Sequence, residues 1–439
     1  MVSGTYMEKI MSTLSSRKLD AITKGLPHLS EPIEVAQLSK QGWNILREDV
    51  PLPVAIIRKS AIDRNRQAMM DYVREAGVEL APHGKTTLSP EIFAMQLDDG
   101  VWGITLSTVH QLRVGHAAGV TRFLLANELV GPRDLDFVVK FLTDNEDVDF
   151  YCFVDSPTHV ERWADAAARG KLLRPINLLL EVGYAGGRAG CRTIEDALAT
   201  ASAIGEYPQL RLSGIAGFEG LRQYLPAEEA QLLTDQFLNY IASVVQAVDG
   251  RGLFGGEEII LTAGGSALFD IVADSFRSLA LSKPSRTIIR SGCYITHDSG
   301  IYERHQPARL TRQQINHQCG PALDSAIEVW AYVISLPEAG RAILGAGRRD
   351  FGHDAGPPRA LKSFRPGSAS SMQEMPVSCE IVSINDQHAH LAFPAEVSLA
   401  IGDMVALGIS HPCTTFDRWT SMLVVDDAYN VVSGITTHF

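Results

Sequence analysis

No run of apolar residues in this 439-residue sequence reaches the length that a membrane-spanning helix needs. Basic charge does not dominate either. Thirty-nine Lys and Arg stand against 51 Asp and Glu, a formal net charge of -12, which is a poor electrostatic match to nucleic acid or an anionic membrane and leaves room only for local basic pockets. Cysteine is sparse. Cys152, Cys191, Cys293, Cys319, Cys379 and Cys413 lie too far apart to form the disulfide framework of a small secreted domain, and each except Cys413 reads as a small buried hydrophobe. The N-terminus lacks a basic stretch leading into an apolar core and a small-residue cleavage site, so a cytoplasmic protein is expected. No exact repeat is present.

What remains is an ordinary globular composition, 45% hydrophobic and 21% charged, in a chain longer than one compact core usually supports. A large domain plus a smaller one is the expectation. Residues 1–51 are weakly periodic and read as an extension, expected to lie on the smaller domain. Beyond them, short apolar runs alternate with amphipathic stretches. The runs are Val78 to Pro82, Trp102 to Leu106, Arg122 to Ala126, Phe150 to Val154, Ile176 to Val182, Leu212 to Phe218, Glu258 to Thr262 and Thr287 to Arg290. Most are almost continuously apolar, as parallel strands buried on both faces should be. Ser89-Pro90-Glu91 supplies an N-cap, an N1 proline and an acidic first turn, and Thr108 with Gln111 fits a capping box. Helices are expected near 61–76, 157–169, 192–205, 228–249 and 266–280. Eight strand and helix units over 52–319 favour a closed (β/α)8 TIM-type barrel, with an open doubly wound sheet as the alternative. From 320 to 439 short runs broken by Gly, Pro, Asn and Asp predict a mostly antiparallel β domain, in which Arg348 to Pro376 reads as an extended loop.

In such a barrel the chemistry gathers at the C-terminal ends of the strands. His83 and Lys85 follow the first expected strand, Arg188 follows the fifth, Gly264, Gly265 and Ser266 follow the seventh, and Gly292 with Tyr294 follows or completes the eighth. A lone lysine after a strand is ordinarily a solvated side chain, and only its company raises its standing. The turn Gly264 to Ser266 offers backbone N–H groups ahead of a helix expected to start near Ala267, a cradle for phosphate or an ordinary tight turn. His411 and Cys413 alternate, so in an extended chain both side chains reach one ion. Sulfur with nitrogen favours zinc. Two ligands fall short of a structural site, and a satisfied histidine beside a buried cysteine is the plainer reading. His388 and His390 form a second alternating pair.

Taken together, Pro82-His83-Gly84-Lys85-Thr86, Gly264-Gly265-Ser266, Gly292-Cys293-Tyr294, Asp386-Gln387-His388 and His411-Pro412-Cys413-Thr414-Thr415-Phe416-Asp417 resemble, in order, the fold-type III pyridoxal-phosphate enzymes of the D-serine dehydratase and D-threonine aldolase branch, related to the alanine racemase barrel. The resemblance runs from about Leu52 to the C-terminus. It implies that Lys85 carries pyridoxal 5'-phosphate covalently, with His83, Arg188, Gly264, Gly265, Ser266, Gly292 and Tyr294 around the cofactor. It implies a divalent metal, zinc by ligand type, on His411 and Cys413, and a homodimer in which the barrel of one subunit meets the β domain of its partner. The loop Glu181 to Gly190 is a looser match to the family's acidic-Gly-Arg-Gly pattern.

Cys413 resembles the dehydratase-like members, whereas typical D-threonine aldolases place an aspartate there. The resemblance thus implies a metal-dependent dehydratase of a β-hydroxy-D-amino acid, such as D-serine, D-threonine or 3-hydroxy-D-aspartate, giving a 2-oxo acid and ammonia. A D-threonine-type aldolase is the alternative, with His388 as the catalytic base or a supporting group. Racemisation gives the metal pair no role. A cofactor-binding regulatory or storage protein is the non-enzymatic alternative.

Overall fold

The computed structural model describes residues 18–315, 322–368 and 372–439; Cys319 lies outside them. Eight parallel strands form the larger sheet: β1 Glu79–Leu80, β2 Ile104–Leu106, β3 Arg122–Glu128, β4 Asp149–Val154, β5 Ile176–Val182, β6 Leu210–Gly217, β7 Ile259–Ala263 and β8 Ser285–Ile289. Each pairs with its successor from β2 to β8, and β8 pairs with β1. Hydrogen bonds close the ring. Trp102 N donates to Leu80 O at 2.8 Å and Thr105 N to Pro82 O at 2.9 Å, and His83 bridges Thr105 in parallel. The fold is a TIM-type barrel, which removes the open-sheet alternative.

The period of two along each strand divides its side chains between an inner and an outer core. Ala81, Leu124, Phe153, Leu179, Ala216, Ile260 and Ile288 fill the barrel interior. Their sequence neighbours, such as Phe123 and Leu125, face the helices and join the outer cluster. Ser89 Oγ caps Pro90–Asp98 by accepting from Ile92 N at 3.5 Å, and Thr108 Oγ1 caps Val109–Ala117 by accepting from Gln111 N at 3.2 Å. The return arm of the expected capping box is displaced by one residue: Gln111 Oε1 accepts from Ser107 N. Helix Ile301–Ile315, unassigned from sequence, contains Pro307, which reads as a breaker. Helix Pro132–Asp144 also went unassigned, and the helix expected over 266–280 is shorter, Phe269–Ser275.

The second sheet is mostly antiparallel and draws on both ends of the chain. Ile327–Glu338 pairs with Met404–Gly408, with Arg341–Leu344 and with Val54–Arg58. Val54–Arg58 therefore belongs to this sheet although it falls within the segment read as barrel; it also pairs in parallel with Ser421–Val425. The segment Arg348 to Pro376 is not a plain loop. It contributes Arg359–Phe364, paired with Met404–Gly408, and the short Gln373–Glu374. Only Ala360 of Arg359–Phe364 is buried and a bulge follows it, so the strand carries little apolar signal. Leu19, Leu26, Val35, Leu38, Ile45 and Val50 of the N-terminal extension share a core with Trp330, Met404 and Leu423 of the second sheet.

Candidate active site and metal centre

At the C-terminal ends of the barrel strands lies a cavity of about 240 Å³, walled on one side by the second domain at His411 and Cys413. His83, Lys85, Arg188, Gly264, Ser266 and Gly292 line it from the barrel. Lys85 occupies the 3-10 turn Gly84–Thr86 directly after β1. That turn is held by Thr86 N to His83 O at 3.1 Å and Leu88 N to Gly84 O at 2.8 Å. A side chain at Gly84 would lie 2.7 Å from the Phe93 ring and 2.9 Å from Ile104, so only glycine lets the turn sit this close to the wall. Burial lowers the Lys85 pKa, Arg188 and Arg290 lower it further, and the nearby Cys413 and Cys293 raise it.

His83 is pushed well below the usual imidazole range, first by burial and then by the charges of Lys85, Arg290 and Arg188, so it is neutral. Its Nε2 lies 3.3 Å from Ser107 Oγ, while its buried Nδ1 has no hydrogen-bond partner among the described residues. The buried Tyr302 hydroxyl, also on the cavity wall, is likewise unpaired. Arg290 at the end of β8 donates to Thr262 Oγ1 at 2.6 Å and to Gly217 O at 2.7 Å, and Arg188 lies over the Phe218 ring at 3.9 Å.

In the second domain His411 Nδ1 lies 2.7 Å from Asp354 Oδ2, and Thr414 Oγ1 donates to the other Asp354 oxygen at 2.5 Å. The side-chain ligand atoms of Cys293, His411 and Cys413 all lie within 4.8 Å of one another. Cys293, read from sequence as a small buried hydrophobe, thus joins the expected pair. The hydrogen bond with Cys293, then the neighbouring His411, hold the Cys413 thiol well below its usual range against the opposing effect of burial. Burial opposes protonation of His411, but Asp354 and Cys413 push it up to about 10.

Known proteins share this plan. The family model D-ser_dehydrat, a serine dehydratase domain, matches residues 326–425. The D-threonine aldolase of Arthrobacter sp is 26% identical over 381 residues, 86% of this chain and 90% of that protein. The D-threo-3-hydroxyaspartate dehydratase of Delftia sp. (strain HT23) is 28% identical over 378 residues, covering 83% of this chain and 91% of the relative. The crystal structure of D-threonine aldolase from Filomicrobium marinum superposes with a TM-score of 0.74 at 22% identity, over 90% of this chain and 97% of that one. These matches support the D-serine dehydratase and D-threonine aldolase family of fold-type III pyridoxal-phosphate enzymes for this chain.

The cavity fits pyridoxal phosphate. It is cationic, presents a buried amine, and leaves the Tyr302 hydroxyl and His83 Nδ1 unpartnered. At Gly292 a side chain would lie 2.5 Å from His83 O and 2.6 Å from Thr86 Oγ1, so the lining there is bare backbone. The expected phosphate cradle is altered. Gly264 N and Gly265 N donate to Glu219 Oε2 and Oε1 at 2.9 and 2.6 Å, so a buried carboxylate holds both. Gly265 does not line the cavity, and the helix after it begins at Phe269. Tyr294 is fully buried outside the cavity wall, within 3.5 Å of Gln96 Nε2. His388 is exposed at the end of the turn before Ala389–Ala392, where its carbonyl accepts from Asn385 N, and it does not reach the cavity within the chain. Asp354 and Tyr302 carried no local sequence signal, and Thr86 and Arg290, within the lysine motif and at the end of the eighth run, were given no role there; the tertiary fold brings all four here. No helix among the described residues is long and apolar enough to cross a membrane.

Proposed function

We propose that this enzyme removes water and ammonia from a β-hydroxy-D-amino acid, such as D-serine, D-threonine or 3-hydroxy-D-aspartate, to give a 2-oxo acid. The observation that carries the reading is that Lys85 from the barrel and the His411–Cys413 pair from the second domain open onto one cavity. Lys85 would hold pyridoxal phosphate, with Ser266, Tyr302 and the bare backbone at Gly264 and Gly292 beside it. His411 and Cys413 would hold a divalent metal, zinc by the softness of the thiolate. When bound, the cofactor supplies an electron sink for charge at the substrate Cα, and the metal a Lewis acid for the departing oxygen.

The chain's own groups meet the other requirements. Lys85, with its amine made less basic by burial, is suited to take the Cα proton. Neutral His83 and the Tyr302 hydroxyl offer hydrogen bonds without adding charge. Arg188 and Arg290 favour a carboxylate substrate. The enclosing walls limit water around the reacting atoms.

Cleavage to glycine and an aldehyde is the second reading, since D-threonine aldolase is among the relatives. That reaction needs a base at the β-hydroxyl, and His388 stands outside the cavity of its own chain. Cys413 supports dehydration. The homodimer implied by the motifs is part of the proposal.

The test supplies the full-length protein with pyridoxal phosphate and zinc, then D- and L-serine, both threonine series and 3-hydroxy-D-aspartate. A 2-oxo acid with equimolar ammonia is expected. Glycine with an aldehyde would establish the aldolase, and cofactor binding with no turnover would establish a binding protein.

A further inference from the structure

We propose that Cys293 is a third protein ligand of the metal, so that the site is two cysteines and one histidine with a fourth position open to the cavity. This rests on the reading that His411 and Cys413 hold a metal.

The geometry is that of a shared ion. Cys293 Sγ and Cys413 Sγ are 3.7 Å apart. Two sulfurs each about 2.3 Å from one tetrahedral zinc lie about 3.8 Å apart, whereas a disulfide would bring them to about 2.05 Å. Thr86 Oγ1 contacts both sulfurs, at 3.8 Å from Cys293 and 3.5 Å from Cys413, and so holds them side by side. The His411 ring is oriented independently. Asp354 occupies Nδ1, which leaves Nε2 for the ion, the carboxylate–histidine arrangement common at zinc sites.

Ligand number and origin point the same way. Three protein ligands with one open position is the composition of catalytic zinc sites, and two thiolates discriminate against magnesium and calcium. Cys293 opens the turn Cys293–Ile295 that follows β8, whereas His411 and Cys413 belong to the second domain. The metal therefore ties the barrel to the second domain beside Lys85. As the sulfur–metal bond forms, the Cys293 S–H bond breaks and its proton passes to solvent. The two thiolates then balance the charge of a dication.

X-ray absorption at the zinc edge of the full-length, cofactor-loaded protein reads the site without any substitution: two sulfurs per zinc are expected. In Cys293→Ser and Cys293→Ala, zinc affinity should fall by more than the roughly 10–100-fold that loss of an outer partner costs, and zinc should raise the melting temperature less than in the parent. One sulfur per zinc, with affinity unchanged in both variants, would mean that the thiols are merely packed together and would overturn the inference, leaving the two-ligand reading intact. Absence of bound zinc in the parent would overturn both, while attachment of cofactor to Lys85 remained separately measurable.

Discussion

Asp354 Oδ2 lies 2.7 Å from His411 Nδ1, although the two residues are 57 positions apart and Asp354 belongs to the segment with the least regular sequence pattern in the second domain. The contact fixes which imidazole nitrogen faces the cavity. It also holds the Asp354 carboxyl at about 2, because hydrogen bonds from His411 and Thr414 outweigh burial. Replacing Asp354 with Asn should weaken zinc binding by about 10–100-fold, with activity largely restored by excess zinc. Zinc titration of parent and variant measures this; equal affinities would remove Asp354 from the site.

Lys85→Ala should abolish the visible absorbance of the lysine-bound cofactor and lower turnover by at least the roughly 10²–10⁴-fold that a positioned proton-transfer group provides. Zinc content should be unchanged, because Lys85 is not among the ligands. Borohydride reduction followed by peptide mass analysis locates the cofactor; attachment at any other lysine would refute the assignment.

Gly84→Ala tests the turn without touching the amine. Its methyl group would lie 2.7 Å from the buried Phe93 ring, and overpacking of this kind costs about 1–3 kcal/mol. A lower melting temperature together with weaker cofactor absorbance is expected. A full-strength cofactor signal would show that the turn has room to shift.

Glu128, at the end of β3, sets a pH dependence of stability. Burial raises its pKa to about 9, and the hydrogen bond to Glu181 and the charges of Glu181 and Asp155 add to the shift. A carboxyl raised above its unfolded value of 4.5 contributes fully below pH 4.5, and its contribution is lost as pH rises through about 9. Glu128→Gln should therefore melt progressively higher than the parent as pH rises across that window. Parallel melting curves from pH 5 to 9 would exclude the buried proton.

His388→Ala should leave kcat/KM unchanged if each cavity is built by one chain, since His388 is exposed and outside it. A loss of activity accompanied by normal zinc and cofactor content would instead show that the turn reaches the cavity of a second copy.

The sequence by itself determined the alternating strand and helix units, because strands buried on both faces must be almost continuously apolar and the caps at Ser89 and Thr108 punctuate the helices between them, while closure into a ring was decided by the pairing of the first strand with its neighbours. It also determined Lys85, His411 and Cys413 as candidates, since strand-end position, alternation and ordered motifs are local properties. Tertiary structure decided the rest. Val54–Arg58 pairs in the second sheet because strand partners are chosen by hydrogen-bond geometry and not by nearness in the chain. Glu219, which is 0% exposed, can take the Gly264 and Gly265 N–H groups only because β6 and β7 are neighbours. Cys293 lies 120 residues from Cys413, and nothing in its local pattern distinguishes it from a small core residue. Closure of the barrel against the second domain brings the two sulfurs together, and a ligand set assembled across such a distance leaves no periodicity to read.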